Sequence, residues 1–334
     1  MKRPLLLPLV PLYAAAVALR EVRLDREWER VRRLRYPVIS IGNLSTGGSG
    51  KTPLTIALAR LLGSRGFQVD VLSRGYGRRS AVPLRVDCEG TAERYGDEPL
   101  LIARATGLPV YVAPERYDAG RLAESVTEVE RARRVHILDD GFQHRQLARD
   151  IDVLLVDSED WRDHLLPAGN LREGRDAARR AGVIAIPIED AGLEAEIRDW
   201  GWSGEVWRLR RRMEVPRVEG PVAAFCGIAR PEQFFAGLRA AGLMLASHRV
   251  FPDHHRYEER DVEGIVRGAR WANAKTVITT EKDLVRIDGL ASGFPPDLPP
   301  KTVGLSSEIE DEAAVVAWIE QKIARQTQLP TSVD

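Results

Sequence analysis

Residues 38–52 read VISIGNLSTGGSGKT. The β-branched run at 38–41 predicts a strand, the glycines a tight loop, and the apolar stretch at 53–62 a helix. Backbone N–H groups at a glycine-rich helix start form a pocket for anionic oxygens. A Cβ there would block close approach and forbid the backbone angles that the loop needs. Gly47, Gly48, Ser49 and Gly50 supply the cradle, Lys51 can reach the β- and γ-phosphates, and Thr52 can offer its hydroxyl to Mg²⁺. The implied ligand is a nucleoside triphosphate. One position departs from the pattern GxxxxGK(S/T): Ser45 stands where the first glycine is usual.

Outward from this loop, short apolar runs alternate with helix-like stretches. Strands are expected at 69–72, 110–112, 135–138, 151–156 and 183–188, and helices at 98–106 and 117–127. Apolar runs separated by helices predict a parallel, doubly wound sheet. Residues 201–220 change character, with Trp202, Trp207 and the basic Arg208, Arg210, Arg211 and Arg212. They read as an extended linker between a nucleotide-binding domain at 37–200 and a smaller unit at 221–325. There the alternation resumes, with strands at 222–226, 245–251 and 276–280 and helices at 231–241 and 258–272. The expected architecture is an α/β, P-loop NTPase-like, mostly parallel sheet with a second, smaller α/β domain. The polar tail at 326–334 is expected to fray.

The 334 residues carry 49 basic and 49 acidic side chains, so no global charge points to nucleic acid. Cys88 and Cys226 match no metal spacing and make no disulfide framework. The N-terminus differs in kind. Residues 4–19 are uncharged and rich in leucine and alanine, and residues 20–35 hold seven arginines against four acids. With Trp28 and Tyr36 nearby, the 1–36 segment suits a membrane interface. The apolar run falls short of the roughly 20 residues of a comfortable span, and Pro4, Pro8 and Pro11 argue against a regular spanning helix. A secretory signal and an ordinary core helix compete with the interface reading; a nucleotide loop just downstream argues against export.

Several polar clusters fall at expected strand ends, where α/β folds bind ligands. Asp139 and Asp140 follow the 135–138 strand, where a P-loop enzyme holds Mg²⁺; an Asp-Gly turn is the competing reading, and the phosphate loop in the same chain favours the metal. Gln143 and His144 extend the same strand end. Arg74 and Arg78 punctuate a glycine-rich loop and suit phosphate. Asp97 opens a helix and could merely cap it. The Asp253-His254-His255 run could hold a metal or act as a general base; adjacent histidines on extended chain face apart, so one reaches a site. Arg172 sits in the compact loop 167–173.

These motifs together resemble the tetraacyldisaccharide 4'-kinase family, the lipid A 4'-kinases of Gram-negative envelopes. The resemblance covers nearly the whole chain and rests on GNLSTGGSGKTP (42–53), LSRGYGR (72–78), GDEP (96–99), LDDGFQH (138–144), PAGNLRE (167–173), FPDHH with Tyr257, and TTEKD (279–283). Ser45 is expected for this family. The resemblance implies ATP and Mg²⁺ as cofactors. Lys51 and Thr52 would bind ATP–Mg²⁺, with Asp139 and Asp140 on the metal side. Asp97 would accept or orient the proton of the attacked hydroxyl, and His254 would tune or relay it. Arg74, Arg78, Gln143, His144 and Arg172 become candidates for the substrate head group. The implied acceptor is a tetraacylated disaccharide 1-phosphate at the cytoplasmic face of the inner membrane. No obligate protein partner is implied. A P-loop GTPase or ATPase switch, or a metallochaperone, is the competing reading. Switch proteins with this deviant loop carry lysine where Thr46 stands, and residues 280–283 have the wrong order for a guanine motif.

Overall fold

The computed structural model describes residues 3–26, 30–126 and 133–327. Trp28, Thr127 and residues 328–334 of the expected tail lie outside them. The strands are β1 (Val38–Asn43), β2 (Gln68–Ser73), β3 (Leu84–Arg85), β4 (Val110–Val112), β5 (Arg134–Asp139), β6 (Ile151–Leu155), β7 (Val183–Pro187), β8 (Glu205–Glu214), β9 (Val222–Cys226), β10 (Leu245–Val250), β11 (Thr276–Thr280) and β12 (Pro300–Ile309). The helices are α1 (Val10–Asp25), α2 (Lys51–Ser64), α3 (Ala92–Tyr95), α4 (Asp97–Thr106), α5 (Arg116–Val126), α6 (Ser158–Trp161), α7 (Ala191–Asp199), α8 (Pro231–Ala240), α9 (Glu259–Trp271), α10 (Glu281–Ile287) and α11 (Glu312–Thr327).

The strands form one sheet in the order β10-β9-β11-β12-β8-β7-β6-β1-β5-β2-β4-β3. All neighbours are parallel except β12 with β8 and β3 with β4. β1 is buried along its whole length, as a central parallel strand must be, and so reads as an unbroken apolar run. α2 lays Leu54, Leu58, Leu61 and Leu62 on the sheet at helical spacing.

The stretch expected as a linker is a strand. In β8, Trp207 and Leu209 turn into the core while Arg208, Arg210 and Arg212 alternate outward; Arg211, on the inner face, donates to Ser49 O at 2.7 Å. Arg208 pairs with Glu194 at 2.8 Å and Arg212 with Glu308 at 3.0 Å. Two-residue alternation is the signature of a half-buried strand; the run of arginines masks it. β8 pairs with β7 through its first half and with β12 through its second, and β12 pairs with β11 in turn. The two parallel blocks therefore share one hydrogen-bonded sheet. α11 returns to the first block, with Val315, Val316 and Ile319 in its core and Trp318 edge-on to Trp207 at 6.0 Å. Its helix includes residues 326–327, which were expected to fray.

The N-terminal prolines do not break the chain's helical course. A 3₁₀ turn over Pro4–Leu9 leads directly into α1, and the combined Pro4–Leu24 segment is long and apolar enough to cross a membrane. Pro4 and Pro11 occupy first-turn positions, where a missing N–H costs nothing. The most apolar stretch of the segment buries no residue against the protein, unlike a core helix, although Leu24 at its end is buried.

Candidate active site

The nucleotide loop joins the C-terminal end of β1 to α2, at the centre of the sheet. Gly47, Gly48 and Gly50 adopt φ of 86°, 40° and 91°, a region costly to residues with a Cβ. The register Ile41↔Asp139 sets the end of β5 beside the start of this loop. Both strand ends open into a cleft of about 1020 Å³. Its walls include Gly47 to Thr52, Asp139, Asp140 and Arg172 from the first block, His254 and Lys282 from the second, and Tyr13 and Arg20 from α1.

Lys51 Nζ donates to Asn43 Oδ1 at 3.0 Å and lies 3.5 Å from Asp140. Arg172 donates to the same Asn43 oxygen at 2.6 Å and to Asp140 Oδ1 at 3.0 Å. Burial opposes the charge of Asp140, but Lys51 and Arg172 outweigh it and hold the carboxyl well below the usual range. Asp139 behaves oppositely. It accepts from Thr55 Oγ1 at 3.1 Å and Ser73 Oγ at 3.4 Å. Burial, then the charges of Glu98 and Asp140, raise its carboxyl to about 7.

Ser45 has a structural job. Asn43 Nδ2 donates to its hydroxyl at 2.9 Å, and the hydroxyl donates to Asp160 at 2.7 Å. Arg230 closes the chain onto Asp160 and Asp157, both at 2.9 Å. Glycine at 45 would leave the buried Asp160 carboxylate without this donor. The loop 167–173 runs alongside: Thr46 N donates to Asn170 O at 2.8 Å and Arg172 N to Leu44 O at 2.7 Å.

Across the cleft, His254 Nδ1 lies 3.0 Å from Asp97 Oδ2. The carboxylate accepts a hydrogen bond from Nδ1–H, which leaves Nε2 as the basic nitrogen. His254 lines the cleft, whereas Asp97 sits behind it, 5 % exposed. Burial disfavours the Asp97 charge, but the His254 hydrogen bond and Arg286 hold the carboxyl far below its ordinary value. The hydrogen bond to Asp97 raises the His254 imidazole against the opposing effect of burial. His255 faces away, 3.0 Å from Asp261 and stacked on Phe251. One histidine reaches the cleft, but through a turn rather than extended chain: His254 has φ of 57°.

The sequence profile described as tetraacyldisaccharide-1-P 4'-kinase matches residues 2–324. The chain belongs to the tetraacyldisaccharide 4'-kinase family. A relative of that name from Koribacter versatilis is 40% identical over 328 residues, covering 95% of this chain and 98% of the relative. Another from Syntrophus aciditrophicus is 39% identical over 310 residues, 82% of each chain. The solved structure of LpxK from Aquifex aeolicus, in complex with ATP, superposes with a TM-score of 0.73 at 32% identity, covering 96% of this chain and 98% of that one.

Of the residues this family resemblance singled out, Arg74, Gln143, His144 and Arg172 line the cleft and Arg78 does not. Arg78 is spent on its own loop, where Nη1 donates to Val82 O at 2.8 Å. Gln143 Nε2 donates to Asn43 O at 2.9 Å, and Arg20 to Gln143 O at 2.5 Å. Burial and then Arg116, Arg149, Arg20 and Arg74 push His144 down to about 3, so it stays neutral. Sequence reasoning missed Asn43, Arg116, Lys282 and Arg286. Burial lowers Arg116 to about 10, and it lines the same wall. Lys282 Nζ donates to Glu98 at 2.5 Å across the two blocks. Asn43 ends β1 and Arg116 lies just beyond β4, so the rule that ligands gather at strand ends could have found them.

Proposed function

We propose that this chain transfers the γ-phosphoryl group of ATP to the 4'-hydroxyl of a tetraacylated glucosamine disaccharide 1-phosphate, yielding a lipid IVA-type product. The observation that carries the reading is one cleft with three walls: the nucleotide loop, the His254–Asp97 pair, and the apolar N-terminal helix.

The loop amides and Lys51 cradle the β- and γ-phosphates. The residues also fit Mg²⁺. Thr52, Asp139 and Asp140 would hold it with hard oxygen donors, and the burial and neighbouring carboxylates that raise the Asp139 carboxyl to about 7 call for a cation. Among the described residues no three His, Cys, Asp or Glu side chains form a metal cage; Mg²⁺ needs none, because phosphate oxygens complete its shell. When bound, the ion neutralises charge on the β- and γ-oxygens.

His254 Nε2 takes the proton of the attacking hydroxyl, and Asp97 orients the ring through Nδ1. This assigns the two residues in the reverse of the order expected from sequence, since a carboxylate engaged by a histidine and an arginine is a weak base. The new O–P bond forms as the bond to the ADP oxygen breaks. Most of the rate enhancement comes from positioning and charge stabilisation.

The exposed apolar N-terminal segment supports a location at the cytoplasmic face of the inner membrane, where ATP would meet a substrate whose acyl chains stay in the bilayer. Leu5, Leu12 and Leu19 fall at intervals of seven and are 93%, 73% and 52% exposed. Tyr13 OH, one residue on from Leu12, donates to Arg172 O at 3.1 Å and ties the helix to the cleft. The test is direct. Purified protein given detergent, ATP–Mg²⁺ and disaccharide 1-phosphate should form a bis-phosphorylated lipid. No product, where the Koribacter relative forms one, would overturn the reading.

A further inference from the structure

We propose that Arg286 is a positioning residue for phosphoryl transfer: it anchors Asp97 to the second block of the sheet and so sets the orientation and proton affinity of His254. The proposal rests on the reading of His254 and Asp97 as the proton-handling pair.

Arg286 lies on α10, and its side chain is 6 % exposed, as is that of Asp97. Its guanidinium makes a fork that no other side chain could reproduce. Nε donates to Asp97 Oδ2 at 2.7 Å, and Nη2 donates to the same oxygen. Nη1 donates to Gly227 O at 2.6 Å and to Asp283 Oδ1 at 3.1 Å. Asp283 is itself fixed by Tyr257 OH at 2.8 Å and Gly227 N at 3.0 Å. A chain of donors thus runs from the rigid end of β9 and the start of α10 to the carboxylate that orients His254. Arg286 does not line the cleft. It therefore acts through Asp97 and not on ATP.

His254 sits among opposing charges. Asp97 faces Nδ1, and Asp253 lies 4.0 Å from Nε2. Both favour the imidazolium. Tyr76 packs against the ring at a tilt of 60°, with centroids 4.9 Å apart. Arg286 Nη2 lies 3.3 Å from Nδ1 and opposes protonation; Lys282, which is paired with Glu98, is the other cation drawn toward Asp97. A histidine held only by carboxylates is pushed toward the cation, the form that cannot accept a proton. Arg286 shares Asp97, so the ring keeps its orientation without being trapped in that form.

The test is a set of variants read by kcat, by KM for ATP and by the acidic limb of the pH–rate profile. Arg286→Met should lower kcat on the order of a hundredfold through misplacement of the ring, leave KM for ATP within about threefold of the parent, and move the acidic limb to higher pH. Arg286→Lys keeps the charge but loses the fork, so kcat should fall while the limb stays in place; this variant carries the test if the methionine form is too unstable. Asp97→Asn should move the limb the other way, to lower pH. The double variant Asp97→Asn/Arg286→Met should be no slower than Asp97→Asn alone, because the two act in series. Parent-like kcat and limb in both Arg286 variants would overturn the proposal, as would a fully additive double variant. Undiminished kcat in His254→Ala would instead overturn the proton-handling pair itself, whatever the Arg286 variants do.

Discussion

Replacing Leu5 and Leu12 by glutamine tests the membrane assignment at the point where it is quantitative. Both side chains are exposed, 93% and 73%, and belong to a segment that buries none of its apolar stretch in the protein. Their removal should leave folding and the cleft intact. A fully transferred leucine is worth about 2 kcal/mol. Scaled by the two exposures, the pair contributes roughly 3 kcal/mol to partitioning, on the order of a hundredfold in the partition coefficient. Glutamine keeps the helix propensity and length, so the loss reports transfer free energy and not unfolding. The assay is co-sedimentation with phosphatidylethanolamine–phosphatidylglycerol vesicles over a range of lipid concentrations. Turnover on detergent-dispersed substrate should change little, because neither leucine lines the cleft. Partitioning within about threefold of the parent would refute the reasoning and return the segment to some other role.

Three further outcomes follow from the cleft. Lys51→Ala should lower kcat on the order of 10² to 10³ by removing one preorganised cation from the phosphates; steady-state kinetics that show only a KM effect would contradict this. His254→Ala should cost about 10² to 10⁴ in kcat, and the parent's rate should rise with pH through a value above the ordinary imidazole one of about 6.5. A limb in the carboxylate range would restore Asp97 as the base. Asp139→Asn should abolish turnover yet stabilise the Mg²⁺-free protein. The folded chain keeps the Asp139 proton up to about 7 while the unfolded chain releases it near 3.8, so the folding penalty grows between those values and is constant above them. Denaturation at about pH 8 should show a gain of up to about 4 kcal/mol that vanishes near the unfolded value; no gain would refute the buried-proton account.

Much of the fold was legible because its elements are locally encoded. β9 and β11 lie where their apolar runs end, and β1, β2 and β5 extend the expected strands by one or two residues at either end. Each is buried on both faces, so hydrophobic length alone marks it. β8 was not legible, because four arginines in ten residues look like solvent until Glu194, Glu308 and the core beneath Trp207 are in place. β12 was missed for a related reason: its burial alternates, and its two halves serve different neighbours.

The sequence by itself determined the nucleotide loop, the family and the inventory of chemical groups, since glycine angles, a lysine and a hydroxyl at fixed spacing are local requirements. Tertiary structure decided how those groups are used. Asp97 and His254 are 157 residues apart, and only docking of α4 against α10 brings them to 3.0 Å and sets the carboxylate behind the ring. Arg78 and Arg74 are four residues apart in one motif, yet only Arg74 reaches the cleft. Asp139 and Asp140 are adjacent, yet one, buried among carboxylates, holds its proton up to about 7 while the other, between two cations, gives it up well below the usual range. Proton affinity, orientation and access depend on neighbours brought together from distant parts of the chain, and spacing along the sequence does not carry that information.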